Sequence, residues 1–132
     1  MNSHCPFCEI TKHDEKRIIK ENDLAFVVHD GFPISEGHTL IIPKRHVVSF
    51  FEITNEEHQA LMELLVQAQK VLDQEFKPDA YNIGINDGVE AGQTVPHLHI
   101  HLIPRYEGDV DDPRGGVRWI MPDKADYWSN KT

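Results

Sequence analysis

Cysteine is scarce in this sequence: Cys5 and Cys8 are the only two, and the loop between them is too small for a disulfide to act as a useful staple. A disulfide framework is thereby excluded, and a reducing, cytoplasmic setting is the expectation. Long apolar runs are missing as well. No stretch approaches the roughly eighteen apolar residues of a bilayer span. Residues 1–30 also lack a cationic segment followed by an apolar one. The sequence therefore reads as neither membrane-bound nor exported. Basic residues are few, with 13 Lys and Arg against 22 Asp and Glu and a formal charge of −9. That balance opposes sequence-independent binding to nucleic acid, so a bound phosphate must be held by a local constellation.

What is present is the composition of a globular protein, 39% apolar and 27% charged, which excludes a disordered chain. The length suits one domain over 1–132, with an N-terminal segment 1–20 carrying the cysteines and a C-terminal tail 106–132. Residues 5–10 predict a turn entering a short helix, followed by a charged connection over 11–20. Residues 24–29 and 38–43 predict two strands that pair across the intervening loop, the second closed by Pro43. Thr54 followed by Glu57 makes a capping box. Leu61, Leu64, Leu65, Ala68, Val71 and Leu72 then recur with helical spacing in one long helix ending before Pro78. Residues 81–86 and 95–103 predict two more strands, joined by a loop with Asp87, Gly88 and Gly92. Several strands with one long helix give an α+β class.

The chemistry concentrates in the run Pro96-His97-Leu98-His99-Ile100-His101-Leu102. In an extended segment, His97, His99 and His101 share one face while Leu98, Ile100 and Leu102 share the other. Clustered imidazoles suit either a metal site or nucleophilic and acid–base catalysis near neutral pH. No carboxylate follows at a spacing typical of a zinc hydrolase, whereas residues 86–94 offer amides, a hydroxyl and glycines suited to an oxyanion. Cys5-Pro6-Phe7-Cys8 taken alone is compatible with zinc, with redox chemistry or with two small buried residues. Its position at the terminus, with no preceding strand, disfavours the redox reading. Phe7, Phe26 and Ile34 are candidate walls of a base pocket. Lys44, Arg45 and Arg105 are read as surface cations that steer an anionic substrate at most.

The segment Gly92-Gln93-Thr94-Val95-Pro96-His97-Leu98-His99-Ile100-His101-Leu102-Ile103-Pro104-Arg105 resembles the signature of the histidine triad family, and the resemblance extends from Cys5 to about Arg105. It implies a single antiparallel-sheet domain that works as a homodimer and a middle histidine, His99, that becomes covalently nucleotidylated. By the same resemblance, His38 after Gly37 orients the nucleophile, and His101 and Thr94 contact the α-phosphate. Asn86 and Gln93 touch phosphate or leaving group, and Asp30 accepts bonds from ribose hydroxyls. Zinc-carrying members of the superfamily are similar in joining a cysteine pair to two histidines, here His46 and His97, as a closed structural site. No catalytic metal is then required.

Pro96, Pro104-Arg105 and the tail from Gly115 to Pro122 resemble the fragile histidine triad and dinucleoside polyphosphate hydrolase branch. That branch implies a nucleotide substrate cleaved at its α-phosphate. A phosphoramidase acting on purine nucleotides, a non-catalytic nucleotide sensor and a protein binding metal through all three histidines are the alternatives.

Overall fold

The computed structural model describes residues 4–129; parts of the expected N-terminal segment and tail, residues 1–3 and 130–132, lie outside them. In chain order the elements are α1 (Pro6–His13), β1 (Ile18–Glu21), β2 (Ala25–His29), β3 (Thr39–Pro43), α2 (Asn55–Phe76), β4 (Ala80–Gly84), β5 (Ile100–Arg105) and α3 (Pro122–Ala125), with short 3₁₀ turns between them. The five strands form one antiparallel sheet in the order β1-β2-β3-β5-β4. The class is α+β, as several strands with one long helix implied.

Burial follows the period of two along the strands. Ala25, Val27 and Ile41 point into a core shared with Leu61, Leu64, Ala68 and Leu72 of α2 and with Leu98, Ile100 and Leu102. Phe26, Val28, Leu40 and Ile42 point the opposite way and are covered by Ile10 of α1. Both faces of β2 and β3 are therefore buried, which explains why they read as continuous apolar runs. Phe26, only 1% exposed, is part of this second core, so the expectation that it walls a base pocket is corrected.

Most expected strands shift by one or two residues at an end, the fourth running Ala80–Gly84 rather than 81–86, and two differences are larger. The connection over 11–20 was expected to lack a strand, yet Ile18–Glu21 pairs with β2 as an edge strand. An edge strand tolerates Lys20 and Glu21 because only one of its sides needs a partner. The strand expected from residue 95 begins at Ile100, since the chain first turns through a bond from His97 N–H to the Val95 carbonyl (2.8 Å).

The long helix starts where the capping box placed it, with Glu57 N–H donating to Thr54 Oγ1 (3.0 Å) and Thr54 N–H to Glu57 Oε1 (2.9 Å). Glu57 is only 4% exposed, and both its oxygens accept from the Arg45 guanidinium at 2.7 and 2.8 Å. The Arg45 bonds hold its carboxyl well below the usual range, at about 2. Stability from this group is present above pH 4.5, the ordinary value, and is lost as pH falls from there toward 2. Glu57→Ala keeps the Thr54 cap but removes the carboxylate half of the capping box and the partner of the half-exposed Arg45, and is expected to cost roughly 1–2 kcal/mol in chemical denaturation. A loss under about 0.5 kcal/mol would show the pair to be a solvated surface bridge.

Candidate active site

A cleft of about 1470 Å³ opens beside the histidine run, and Asp30, His38, Asn86, Thr94, His99 and His101 all line it. His38 reaches the cleft because Gly37 precedes it with φ +89°, a left-handed conformation that favours glycine. A Cβ at Gly37 would also lie 2.9 Å from the Phe76 ring, so no side chain fits there.

Hydrogen-bond partners settle the tautomers of the cleft histidines. His99 Nδ1 lies 2.8 Å from the carbonyl oxygen of His97, which can only accept, so the proton is on Nδ1 and Nε2 keeps its lone pair. His38 Nδ1 accepts from the Ile34 backbone N–H at 3.2 Å, so its proton is on Nε2, which donates to His101 Nδ1 at 3.0 Å. His101 then carries its proton on Nε2, as a donor. Asp30 Oδ2 lies 3.4 Å from His38 Nε2, while Asp30 Oδ1 accepts from Phe32 N–H at 2.8 Å. Burial lowers the pKa of His38, and burial with the neighbouring His99 and His38 takes His101 down to about 4, Asp30 opposing in both. Both rings are therefore neutral at pH 7, as the donor pattern requires.

The orienting bond expected from His38 to His99 is replaced: His38 reaches His101, and the backbone of His97 holds His99. A residue pattern carries no signal for a backbone acceptor. Gln93 also departs from its expected place. Its Oε1 accepts from Gly88 N–H (2.8 Å) and its Nε2 donates to the carbonyls of Val48 and Val95 (both 3.1 Å), so the amide braces the loop behind the cleft wall. Phe7, by contrast, lines the cleft with its ring centroid 4.9 Å from that of His99 in an edge-on contact. Ile34 lines it too. The expected surface cations are paired, Lys44 with Glu21 and Arg105 with Asp109 and Asn82.

His97 leaves the face it was expected to share with the other two histidines. It is fully buried, with Nε2–H donating to the Pro43 carbonyl at 2.8 Å and the Nδ1 lone pair turned toward two sulfur atoms, Cys5 Sγ at 3.2 Å and Cys8 Sγ at 3.6 Å. His46 Nδ1 lies 3.4 Å from Cys8 Sγ, and the ligand atoms of Cys5, Cys8, His46 and His97 all fall within 4.8 Å of one another. Zinc bonds of about 2.3 Å to sulfur and 2.0–2.1 Å to nitrogen, set tetrahedrally, place the two atom types about 3.5 Å apart, so this donor set fits the ion. The bond to Pro43 fixes the tautomer that ligation needs. Asp30, His38 and His101 also cluster, but the proton on His38 Nε2 occupies the position a metal would take. His97 belongs to one cluster and His101 to the other, so the three histidines do not converge as a single ligand set.

Residues 11–108 match the HIT domain. The chain belongs to the HIT family. This HIT domain is 38% identical over 107 residues to a HIT-like protein of Mycoplasma pneumoniae, covering 80% of this chain and 74% of that one. It is 45% identical over 80 residues to the bis(5'-nucleosyl)-tetraphosphatase of Schizosaccharomyces pombe, covering 61% of this chain but 44% of the tetraphosphatase. Among solved structures, a Zn-bound histidine triad family protein from Mycobacterium smegmatis superimposes with a TM-score of 0.72 at 34% identity, over 80% of this HIT chain and 77% of that one.

Proposed function

We propose that this chain hydrolyses or transfers a nucleotidyl group at the α-phosphate of a dinucleoside polyphosphate or a related adenosine nucleotide. The observation that carries the reading is the fixed tautomer of His99, a cleft-lining residue whose Nδ1–H is held by a backbone carbonyl, which leaves the Nε2 lone pair as its nucleophile. In the first step Nε2 attacks the α-phosphorus, the N–P bond forms, and the bond to the leaving oxygen breaks with its electron pair. In the second step water attacks the same phosphorus, the N–P bond breaks, and nucleoside monophosphate departs with the proton of water lost to solvent. His101 Nε2–H, Thr94 and Asn86 donate to the non-bridging oxygens, and Gln93 supports them from behind. The relation to the tetraphosphatase supports a polyphosphate leaving group, and the cleft extends past the histidines to Trp119 and Ile120 of the tail, beside which a second nucleoside fits.

Zinc at Cys5, Cys8, His46 and His97 is part of the same reading, as is a cytoplasmic homodimer; the Zn-bound relative supports the metal. Among the described residues no helix is long and apolar enough to cross a membrane. The deciding experiment offers diadenosine polyphosphates, adenosine phosphoramidates and adenylyl sulfate in parallel, with product analysis and a chelator control. Polyphosphate turnover that survives the chelator supports the proposal, a phosphoramidate preference replaces it with the phosphoramidase reading, and binding without turnover identifies a sensor.

Asp30 tests the ribose contact. Asp30→Asn keeps an oxygen for the Phe32 N–H but removes the charge that the ribose hydroxyls are proposed to meet. Affinity for a ribonucleotide is expected to fall by roughly 1.5–3 kcal/mol, with a much smaller loss for its 2′-deoxy analogue. Equal losses in the two titrations would reduce Asp30 to a turn residue and a neighbour of His38.

A further inference from the structure

The segment after His46 is laced, residue by residue, to the loop that closes one side of the cleft. The Val47 carbonyl accepts from Leu98 N–H at 2.7 Å, and the Val48 carbonyl accepts from Gln93 Nε2 at 3.1 Å. Ser49 Oγ–H and Phe50 N–H both donate to the same oxygen, Asp87 Oδ2, at 3.2 and 2.8 Å. One strip of this clasp starts at the ligand-set residue His46, and the other runs back from His97. The Cys5, Cys8, His46 and His97 cluster closes one end and Asp87 closes the other. Asn86 precedes the stretch held between these points and Thr94 lies within it, both at the cleft wall. No element of the reaction touches Asp87, yet it is the only carboxylate to which the 46–50 strip is bonded among the described residues.

We propose that Asp87 is a positioning residue, which transmits occupancy of the metal cluster to the cleft loop by anchoring that loop to the strip beginning at His46. The inference rests on the zinc reading and on the loop's contact with the α-phosphate, and it adds a coupling that neither contains. With zinc bound, His46 and His97 are held to one point, so the two strips start in register and Asp87 meets both of its donors. With zinc absent, the near end of the clasp loosens and the far end follows. Asn86 and Thr94 then lose their fixed aim at the phosphate. Two donors on one charged acceptor make the far anchor strong enough to carry this coupling.

The test uses the full chain, with zinc alone as the metal probe and adenosine monophosphate as the ligand. Hydrogen exchange of residues 88–94 and monophosphate affinity are measured with zinc bound and after chelation, in wild type, Asp87→Ala, Asp87→Asn and Ser49→Ala. In the zinc-loaded protein, Asp87→Ala is expected to speed exchange across 88–94 and weaken monophosphate binding by about ten- to a hundredfold. Asp87→Asn retains an acceptor oxygen and rescues most of both, and Ser49→Ala, which keeps the Phe50 bond, has an intermediate effect. Chelation of wild type reproduces the Asp87→Ala pattern and adds little in that variant, the non-additivity expected of one coupled path. Equal chelation effects in wild type and Asp87→Ala overturn the coupling, as does unchanged exchange in a folded Asp87→Ala. A wild type that takes up no zinc overturns the metal reading and the transmission with it, and metal content is determined separately so that the two failures are distinguished.

Discussion

His99→Asn is expected to reduce turnover by a factor on the order of 10⁴ or more while leaving nucleotide binding within a few-fold of wild type. The asymmetry follows from geometry. Asparagine can still donate to the His97 carbonyl that fixes His99, but it offers no basic nitrogen to form a bond to phosphorus. Product stereochemistry gives a second view of the same step. Two successive in-line displacements retain configuration at a chiral α-phosphorus, whereas direct attack by water inverts it. During turnover a nucleotidylated wild type is expected on rapid quench, acid-labile and mapping to His99 by mass spectrometry. His101→Asn removes one phosphate donor and breaks the contact with His38, so its loss is expected nearer the 10²–10³ typical of one oxyanion donor. Near-normal turnover in His99→Asn, or inversion at phosphorus, rules out the covalent route.

The second large effect concerns stability. Replacing Cys5 and Cys8 together by Ser is expected to abolish stoichiometric zinc and to cost about 3 kcal/mol or more, roughly 10 °C in Tm. The ligands come from α1, from the segment after β3 and from the approach to β5, so the ion ties together three pieces distant in sequence. Turnover per folded molecule is expected to persist in reduced form, since His99 is held by a backbone bond that does not involve sulfur. Phe7, which sits between the two cysteines and packs edge-on against His99, contributes to the reduction beside the proposed loosening of the Asp87 clasp. Metal analysis by mass spectrometry and a thermal melt with and without chelator read both quantities. A wild type that is metal-free and melts at the temperature of the double variant would eliminate the structural zinc.

The amino-acid sequence by itself determined the elements whose signals are local. The Thr54 and Glu57 capping box and the helical spacing that follows it define α2 without reference to any other part of the chain. The alternation of leucine and isoleucine with histidine in 97–102 put Leu98, Ile100 and Leu102 into the core, because burial of apolar surface decides that side. The histidine run itself was legible from residue types and spacing, whereas the distant His38 and Asp30, which also line the cleft, were named only through the resemblance to the histidine triad family. Tertiary structure alone decided what each imidazole does. His97 and His99 precede the regular strand, so a strict period of two no longer governs their directions, and His97 is drawn to Cys5, Cys8 and the Pro43 carbonyl. The orienting acceptor of His99 is a backbone oxygen, which every residue possesses and no side-chain pattern reveals. Gln93 and Asp87 looked like loop residues facing a ligand or a turn, and only the approach of the 47–50 segment, some forty residues earlier in the chain, turned them into braces. Spacing along a chain fixes which side chains share a face; which partners they meet depends on the packing of segments that local periodicity cannot join.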